Sequence, residues 1–422
     1  MPKRKSVIRN TGQCIVIICP HSSYRLGPYL HAAKQLGVPV VVVSQGKYSL
    51  VSDIASGVHV DFSDPQQVCS DIIAAVEDNQ VAAVLGIDDA TVEIAAQVSA
   101  VLGLPHNDIR ASRFTRRKDL ARDVMQSSFV CIPEYCKVSL QSLIDNPQST
   151  IAFPCVIKPL SLSGSRGVIR VENRQALQQA AVRIDAILQQ EGLRADERYF
   201  VLLEQYIPGY EYAYEGILHH GQLQRLTLFD KPDLMEGPFF EETYYITPSR
   251  LDKSMQDMIH DAVSEACRVY GLTEGPVHAE VRIHDNKVWF MEMASRTIGG
   301  QCAQVMEYAT GLSLEQIVIS NALGREIPMI KNPQAAGVLM IPIKKSGLLR
   351  RVEGILEASK LAYIEDIEIS HGEGYELRPL PEGFSYLGFI FSRAPTPELA
   401  EQALRDAMNK LKIVTSPVLH ST

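Results

Sequence analysis

The chain has 422 residues, of which 46% are hydrophobic and 21% charged, a composition typical of a globular protein and not of a disordered or fibrous one. Its 41 Lys and Arg against 49 Asp and Glu give a net charge of −8, which argues against a general nucleic-acid binder. The longest apolar runs, Cys14–Cys19 and Val38–Val43, are far shorter than the roughly 18 residues of a membrane span, so we expect no membrane partner.

The N-terminus carries a short basic stretch, Pro2–Lys5, before the first apolar run. That run ends at Pro20 without a small-residue cleavage pattern, so we interpret it as a strand and expect a cytoplasmic protein. The eight cysteines include no CxxC pair, and several lie within apolar runs. We therefore expect reduced, buried thiols and neither a disulfide framework nor a zinc site.

Strands and helices are predicted to alternate from residue 14 to about 105. Strands are expected at 15–19, 38–44, 58–61 and 81–87, and helices at 28–36, 65–79 and 90–102. This order predicts a parallel α/β domain over residues 1–110. The first strand-to-helix turn, Pro20–Gly27, has one glycine, so the GxGxxG fingerprint of nicotinamide-dinucleotide binding is missing.

The remainder of the chain predicts mixed structure. A basic helix around 111–127 precedes short strands, glycine turns and a helix at 251–270, which indicates an α+β domain over 111–325. A connection at Ile327–Pro333 leads to a C-terminal α+β segment, 326–422, with helices expected near 347–360 and 396–411.

The segment from Val277 to Arg296 predicts a β-hairpin centred on Asn286, because Asp285 and Asn286 favour a turn. This register places Glu280 opposite Glu292. One face is expected to be polar, with His278, Glu280, Glu292 and Arg296. The other is expected to be apolar, with Val277, Ala279, Val281, Ile283, Trp289, Met291 and Met293.

Facing carboxylates repel each other, and a divalent cation such as Mg²⁺ is the simplest compensation. A solvated outer face is the alternative interpretation. The run Ser295–Gly300, in which a cation precedes a glycine pair, favours recognition of a phosphate or carboxylate and shifts the balance towards a site.

A second segment, Pro154–Val171, combines a strand ending in Lys158 with a Ser/Gly loop and another strand. Such a loop can wrap phosphate oxygens with its N–H groups, although many such loops merely connect a hairpin. It is not a Walker A loop, since no GxxxxGK[ST] occurs. A third segment, Tyr199–Gly216, contains Glu204, Glu211 and Glu215, and by itself it equally fits an exposed meander.

Taken in order, these segments resemble the ATP-grasp superfamily, most closely the carboxylate–amine ligases of the L-amino-acid ligase type and more distantly biotin carboxylases. The resemblance covers essentially the whole chain. It implies an α/β and α+β fold with an N-terminal parallel α/β domain, a central ATP-grasp domain whose flexible lid spans about 130–210, and a C-terminal α+β subdomain.

The resemblance also implies the ligands of this chain. ATP phosphates would be held by two lysines and the loop at 161–167, adenine by Glu204 and the backbone of 205–207, and ribose by Glu211. The implied nucleotide-binding residues are Lys118, Lys158, Ser163, Gly164, Ser165, Gly167, Glu204, Gln205, Tyr206, Ile207 and Glu211.

Glu280 and Glu292 would bind Mg²⁺, or Mn²⁺, and Arg296 would stabilise an acyl-phosphate. Lys231 and Glu242 lie where related enzymes place substrate or phosphate contacts, with a surface position as the alternative. Many family members have a metal-binding Asn where this chain has Ala294, which cannot coordinate a metal. A structural role is the favoured interpretation of His278.

The expected activity is ATP-dependent joining of a carboxylate to an amine, with amino acids as the expected small-molecule substrates. Two alternatives remain open: a carboxylase using bicarbonate and biotin, and an ATP-binding protein without turnover. The chain has no Met-Lys-Met biotinylation sequence, so a carboxylase would need a separate carrier. A homodimer is the expected assembly, because it is the commonest among soluble proteins.

Overall fold

The structure is a computed structural model that describes residues 13–21, 23–45, 56–62, 64–327, 334–383 and 385–418. The basic stretch at 2–5 and the connection at 328–333 lie outside the described residues. Within the described part of the chain, no helix is long and apolar enough to cross a bilayer. All eight cysteines are free thiols in the structure, and five of them are buried.

The N-terminal domain contains a four-stranded parallel sheet in the order β3-β2-β1-β4, which confirms the predicted α/β domain. Its strands are β1 (Cys14–Cys19), β2 (Val40–Gln45), β3 (Ser56–Val60) and β4 (Val81–Gly86), and its helices are α1 (Leu26–Gln35), α2 (Pro65–Val76) and α3 (Val92–Val101). Both faces of β1 are buried, because successive residues contribute to two different apolar cores.

Two short helices, α4 (Ile109–Phe114) and α5 (Lys118–Met125), replace the single basic helix predicted around 111–127. That prediction is wrong because the backbone is extended at Arg117, with φ −103° and ψ 101°. The N–H of Lys118 then donates to the carbonyl of Leu160 at 2.9 Å, which fixes the start of α5 against another element. A tertiary contact therefore interrupts the helical pattern.

A separate four-stranded sheet, in the order β5-β8-β6-β7, forms within the predicted lid region. It consists of β5 (Tyr135–Ser139), β6 (Cys155–Pro159), β7 (Ile169–Val171) and β8 (Phe200–Gln205), together with α6 (Leu140–Asp145), α7 (Arg174–Leu188) and α8 (Ala195–Arg198). α7 packs its apolar face on this sheet. β6 and β7 are antiparallel partners, so the Ser/Gly loop joins two strands, as predicted.

The largest sheet has eight strands in the order β13-β12-β9-β10-β11-β14-β18-β16. Its members are β9 (Tyr210–His219), β10 (Gln222–Lys231), β11 (Tyr244–Thr247), β12 (Gly275–His284), β13 (Lys287–Ala294), β14 (Ala335–Ile341), β16 (Ile364–Ile369) and β18 (Gly388–Ala394). The helices α9 (Lys253–Tyr270), α10 (Cys302–Thr310) and α11 (Leu314–Ala322) pack against it. Strands on both sides of residue 325 share this sheet, and the domain boundary there stays a prediction.

The C-terminal segment adds a three-stranded sheet, β17-β15-β19, formed by β15 (Gly347–Glu353), β17 (Glu376–Leu377) and β19 (Lys412–Ser416). Its helices are α12 (Ile355–Ala358) and α13 (Pro397–Lys410). The predicted helix near 347–360 is therefore wrong. Gly354, at φ +85°, ends the strand and limits α12 to one turn, while β15 pairs with two neighbouring strands.

The β12–β13 hairpin confirms the pairing of Glu280 with Glu292. Its two-residue turn is Asp285–Asn286, both at positive φ, so the centre lies between these residues and not on Asn286. The pairing of β12 with β13 shifts by one residue at a bulge next to Glu280, and this shift changes which residues of β13 face the core. Val288 and Phe290 join the core there, and the predicted core positions of Trp289 and Met291 are wrong.

Candidate functional site

A cleft between the lid sheet and the central sheet brings together most of the residues that the sequence assigned to the nucleotide. It encloses about 680 Å³ of space open to solvent. Ten of the eleven implied nucleotide-binding residues line it, as do both implied metal ligands, whereas Gly167 lies just outside. Lys231 and Arg296 are not in its lining.

The wall of the cleft contains a buried ionic group made of Lys158, Glu204 and Arg122. Lys158 Nζ lies 2.5 Å and Arg122 Nε 2.8 Å from the two carboxylate oxygens of Glu204, which is 1% exposed. Burial lowers the pKa of Lys158. Burial alone would raise the pKa of Glu204, but the charges of Arg122 and Lys158 lower it, so the carboxylate stays ionised. Arg122 was not identified from the sequence.

The Ser/Gly loop covers one side of the cleft. Gly164, Ser165 and Gly167 all have positive φ, between 55° and 73°, a backbone conformation that most residues rarely adopt. Lys118 Nζ donates to the carbonyl of Leu162 at 2.7 Å, and this bond ties the loop to the start of α5. The N–H of Gly167 donates to the carbonyl of Pro381 at 3.2 Å.

Three carboxylates surround the ammonium group of Lys231 at the inner end of the cleft. Lys231 Nζ lies 2.7 Å from Glu211, 2.9 Å from Glu242 and 2.8 Å from Glu280. Lys231 is 3% exposed, which excludes the surface position left open by the sequence. Burial alone would lower its pKa, but the three carboxylates raise it well above its usual value.

Arg282 is a second cation in this group that the sequence did not single out. Its Nε donates to Glu211 at 2.9 Å, and its Nη1 donates to the carbonyl of Ile207 at 2.7 Å. Arg282 thereby joins the implied ribose ligand to the implied adenine-binding backbone. The alternation along β12 was a usable signal, because it places residue 282 on the same face as Glu280.

His278 lies between two glutamates on the other side of Glu280. Its Nδ1 is 2.7 Å from Glu215, and its Nε2 is 3.7 Å from Glu280. Burial alone would lower the pKa of His278, but the two glutamates raise it to about 9. The side chain is 6% exposed, and its structural role stays a prediction.

Arg296 lies in a second pocket that adjoins the nucleotide cleft. The two cavities share five lining residues: Lys118, Leu162, Ser163, Met291 and Glu292. Arg296 donates to both oxygens of Asp89, from Nε and from Nη2, each at 2.9 Å. Asp89 follows β4 in the N-terminal domain, and the sequence did not single it out. These residues come from the predicted N-terminal and central domains. The predicted C-terminal subdomain contacts the site through Pro381, whose carbonyl accepts a hydrogen bond from the Ser/Gly loop.

The acidic side chains present in the cleft fit a divalent cation. Oxygens of Glu211, Glu242 and Glu280 lie within 4.8 Å of one another around Lys231 Nζ, and carboxylate oxygens are the ligands that Mg²⁺ prefers. Glu292, the cross-strand partner of Glu280, lies at the open rim with its side chain 42% exposed and 3.5 Å from Lys118 Nζ. Glu280 thus lies beside the buried carboxylates of Glu211 and Glu242 and is also the cross-strand partner of the more exposed Glu292.

Comparison with known proteins agrees with this geometry. Family models match as an ATP-grasp N-terminal domain at 30–106, an ATP-grasp domain at 151–305 and an L-amino acid ligase C-terminal domain at 339–416. The solved L-amino acid ligase from Bacillus licheniformis superposes with a TM-score of 0.84 at 23% identity, covering 96% of this chain and 100% of that one.

Two relatives with named activities also match. Alanine–anticapsin ligase of Bacillus subtilis (strain 168) is 22% identical over 62% of this chain, and dapdiamide A synthase of Enterobacter agglomerans is 25% identical over 38%. This chain spans 58% and 37% of their respective lengths. The chain therefore contains an ATP-grasp N-terminal domain, an ATP-grasp domain and the C-terminal domain of the L-amino acid ligases.

Proposed function

We propose that this protein is an ATP-dependent carboxylate–amine ligase that joins amino acids through an acyl-phosphate and releases ADP and phosphate. The observation that carries the proposal is the shared wall between the nucleotide cleft and the Arg296 pocket, which contains Lys118 and Glu292. A nucleotide in the first cavity would direct its terminal phosphate towards an acid in the second.

The reaction requires two displacements. An oxygen of the substrate carboxylate attacks the terminal phosphorus of ATP, and the bond to the bridging oxygen breaks to release ADP. The amine nitrogen then attacks the acyl carbon, the bond to the phosphate oxygen breaks, and a proton leaves the nitrogen. Positioning and charge stabilisation supply most of the rate in phosphoryl transfer.

The side chains of this protein have separate tasks in these steps. Lys118 and Lys158 offset the charge of the phosphates, and Arg296 stabilises the oxyanions formed around the acyl carbon and the phosphate. Magnesium, held by Glu280 and Glu292 with Glu242 within reach of Glu280, would neutralise phosphate charge when bound. The loop at 161–167 excludes water, which would otherwise hydrolyse the acyl-phosphate.

Glu242 is a candidate replacement for the metal-binding side chain that this chain lacks at Ala294. The carboxylate of Glu242 lies within 4.8 Å of oxygens of Glu211 and Glu280, whereas Ala294 offers no ligand atom. Burial raises the pKa of Glu242 to about 7. A bound cation would favour the ionised form of this carboxyl group, so metal binding and its deprotonation are expected to be coupled.

The proposal is tested by incubating the purified protein with MgATP and pairs of amino acids, measuring ADP and phosphate, and identifying products by mass spectrometry. We expect ADP release that depends on two amino acids and a product lighter than their sum by one water. ATP consumption that depends on bicarbonate would support the carboxylase instead. ATP binding without consumption under all pairs would support a non-catalytic protein. A homodimeric state and a cytoplasmic location stay predictions.

A further inference from the structure

The carboxyl ends of β1 and β4 face the segment that follows β13. These two strands are neighbours in the N-terminal sheet. After β1 the chain adds β2 and β3 on one side of it, and then returns to place β4 on its other side. Crevices of this kind, at the point where strand order reverses, are where open α/β sheets bind ligands. Asp89 lies at this point, and Arg296 reaches it from the central sheet.

The contact between Asp89 and Arg296 uses one edge of the guanidinium group. Nε and Nη2 donate to the two carboxylate oxygens at 2.9 Å each, and Nη1 donates to the carbonyl of Thr297 at 3.1 Å. These bonds use three of the five N–H donors of the arginine. The other two, one on Nη1 and one on Nη2, have no hydrogen-bond partner among the described residues, and these two nitrogens define the adjoining Nη1–Nη2 edge of the group.

The Arg296 side chain is 12% exposed, and that of Asp89 25% exposed. Burial alone would raise the pKa of Asp89, but the charge of Arg296 lowers it, so the pair is ionised at neutral pH. Both residues line the pocket that adjoins the nucleotide cleft. A planar fork with one edge occupied by a fixed carboxylate can offer its other edge to a second anion.

The neighbouring residues fix the backbone on both sides of this contact. Arg25, which follows β1, donates from Nη1 to the carbonyls of Thr297 at 3.0 Å and Ile298 at 2.8 Å. Its Nε lies 3.6 Å from Asp88, whose carboxylate also accepts a hydrogen bond from Ser23. The loop after β4 and the segment after β13 are thus held together by side chains of both domains.

We propose that Asp89 is a positioning residue that holds Arg296 by one edge so that the other edge binds the transferred phosphoryl group. The proposal rests on the proposed function, because it concerns the anion that this reaction forms. A long arginine side chain loses rotamer freedom when it is fixed, and Asp89 imposes that order before the substrates bind. The N-terminal domain thereby completes the catalytic site.

The kinetic test is a double-mutant cycle with Asp89→Asn, Arg296→Gln and the combined variant. Asp89→Asn should lower kcat for amino-acid-dependent ADP release about 10²-fold while leaving the KM for ATP nearly unchanged, since the loss of one well-placed donor has effects of that size. In the Arg296→Gln background it should change kcat less than about twofold. Asp89→Glu, which keeps the carboxylate, should recover part of the loss.

Glu265→Gln is the matched control, because Glu265 on α9 accepts two bonds from Arg268 at 2.7 Å each and lines neither the nucleotide cleft nor the Arg296 pocket. This control should retain wild-type kcat. Equal losses from Asp89→Asn in both backgrounds, or a loss below about twofold in the wild-type background, would overturn the positioning role.

A binding readout separates this proposal from the ligase activity itself. Calorimetric titration of the MgADP-loaded protein with inorganic phosphate should show binding that weakens at least about tenfold in Asp89→Asn and in Arg296→Gln, with no further loss in the combined variant. Equal affinities in all variants, or no binding by the wild type, would refute the positioning role. Wild-type phosphate binding without amide formation would refute only the ligase proposal.

Discussion

Glu280 and Glu292 are direct partners across the β12–β13 hairpin, yet they occupy different environments. Glu280 is 9% exposed and accepts a hydrogen bond from Lys231 at 2.8 Å, whereas the Glu292 side chain is 42% exposed. The inner carboxylate is therefore fixed by the fold, and the outer one is free to adjust to a ligand. This difference separates the catalytic consequences of a substitution from its structural ones.

Glu292→Gln should reduce amino-acid-dependent ADP release by about 10²-fold or more without lowering the urea midpoint of unfolding, because the lost charge is exposed and serves the phosphates. Steady-state kinetics and urea titration measure the two effects. Glu357→Gln, an exposed change on α12, should alter neither. Wild-type turnover by Glu292→Gln would contradict the metal assignment of this residue.

Lys231→Met should destabilise the protein by about 3 to 5 kcal/mol, because removing one partner leaves buried carboxylates without their counter-charge. The loss should appear as a lower urea midpoint in the absence of ligands. Lys287→Met, at an exposed position beside the hairpin turn, should have little effect. If both variants unfold at the wild-type midpoint, the carboxylate cluster does not depend on Lys231 for its stability.

Two glycines of the Ser/Gly loop differ in the space around them, so they can be compared directly. Gly164→Ala adds a Cβ in open space, so its cost is the positive φ of 63°, about 1 to 2 kcal/mol. Gly167→Ala adds the same strain and also brings its Cβ to 2.8 Å from Cγ of Pro159. We expect Gly167→Ala to raise the KM for ATP several times more than Gly164→Ala. The reverse order would show that the loop closes in another conformation.

Asp119 gives a prediction about pH. Burial alone would raise its pKa, but hydrogen bonds from Arg117 and Lys137 lower it below the usual 3.8. A carboxyl group with a lowered pKa stabilises the folded state above pH 3.8, and this contribution disappears as the pH falls through the folded-state value.

Asp119→Asn should therefore lower the urea midpoint at pH 7, and the difference from wild type should shrink as the pH falls below 3.8. Asp257→Asn, at an exposed position on α9, serves as the control and should show a small, pH-independent difference. A difference between wild type and Asp119→Asn that stays constant from pH 7 to pH 3 would contradict the assigned ion pair.

Local patterns in the sequence predicted the parts of the fold that depend on local chemistry. The turn formers Asp285 and Asn286 fix the hairpin register, so the pairing of Glu280 with Glu292 could be derived from the residues alone. The bulge beside Glu280 could not, because it depends on how β13 packs against neighbouring elements. The core positions on β13 were wrong for that reason.

Long-range contacts explain the residues that were missed. Arg296 and Asp89 are separated by 207 positions and Arg122 and Glu204 by 82, and neither local periodicity nor turn chemistry records such a pairing. The break between α4 and α5 has the same origin, since the N–H of Lys118 bonds to the carbonyl of Leu160. Pairings across domains become visible only when the chain is folded.

Oxygen transfer from the acid to the phosphate tests the acyl-phosphate route most directly. The protein is incubated with ATP, a second amino acid and a first amino acid labelled with ¹⁸O in both carboxylate oxygens, and the released phosphate is analysed by mass spectrometry. We predict one ¹⁸O atom in each phosphate released, with the other retained in the amide. Unlabelled phosphate, or release of AMP and pyrophosphate, would contradict the acyl-phosphate route.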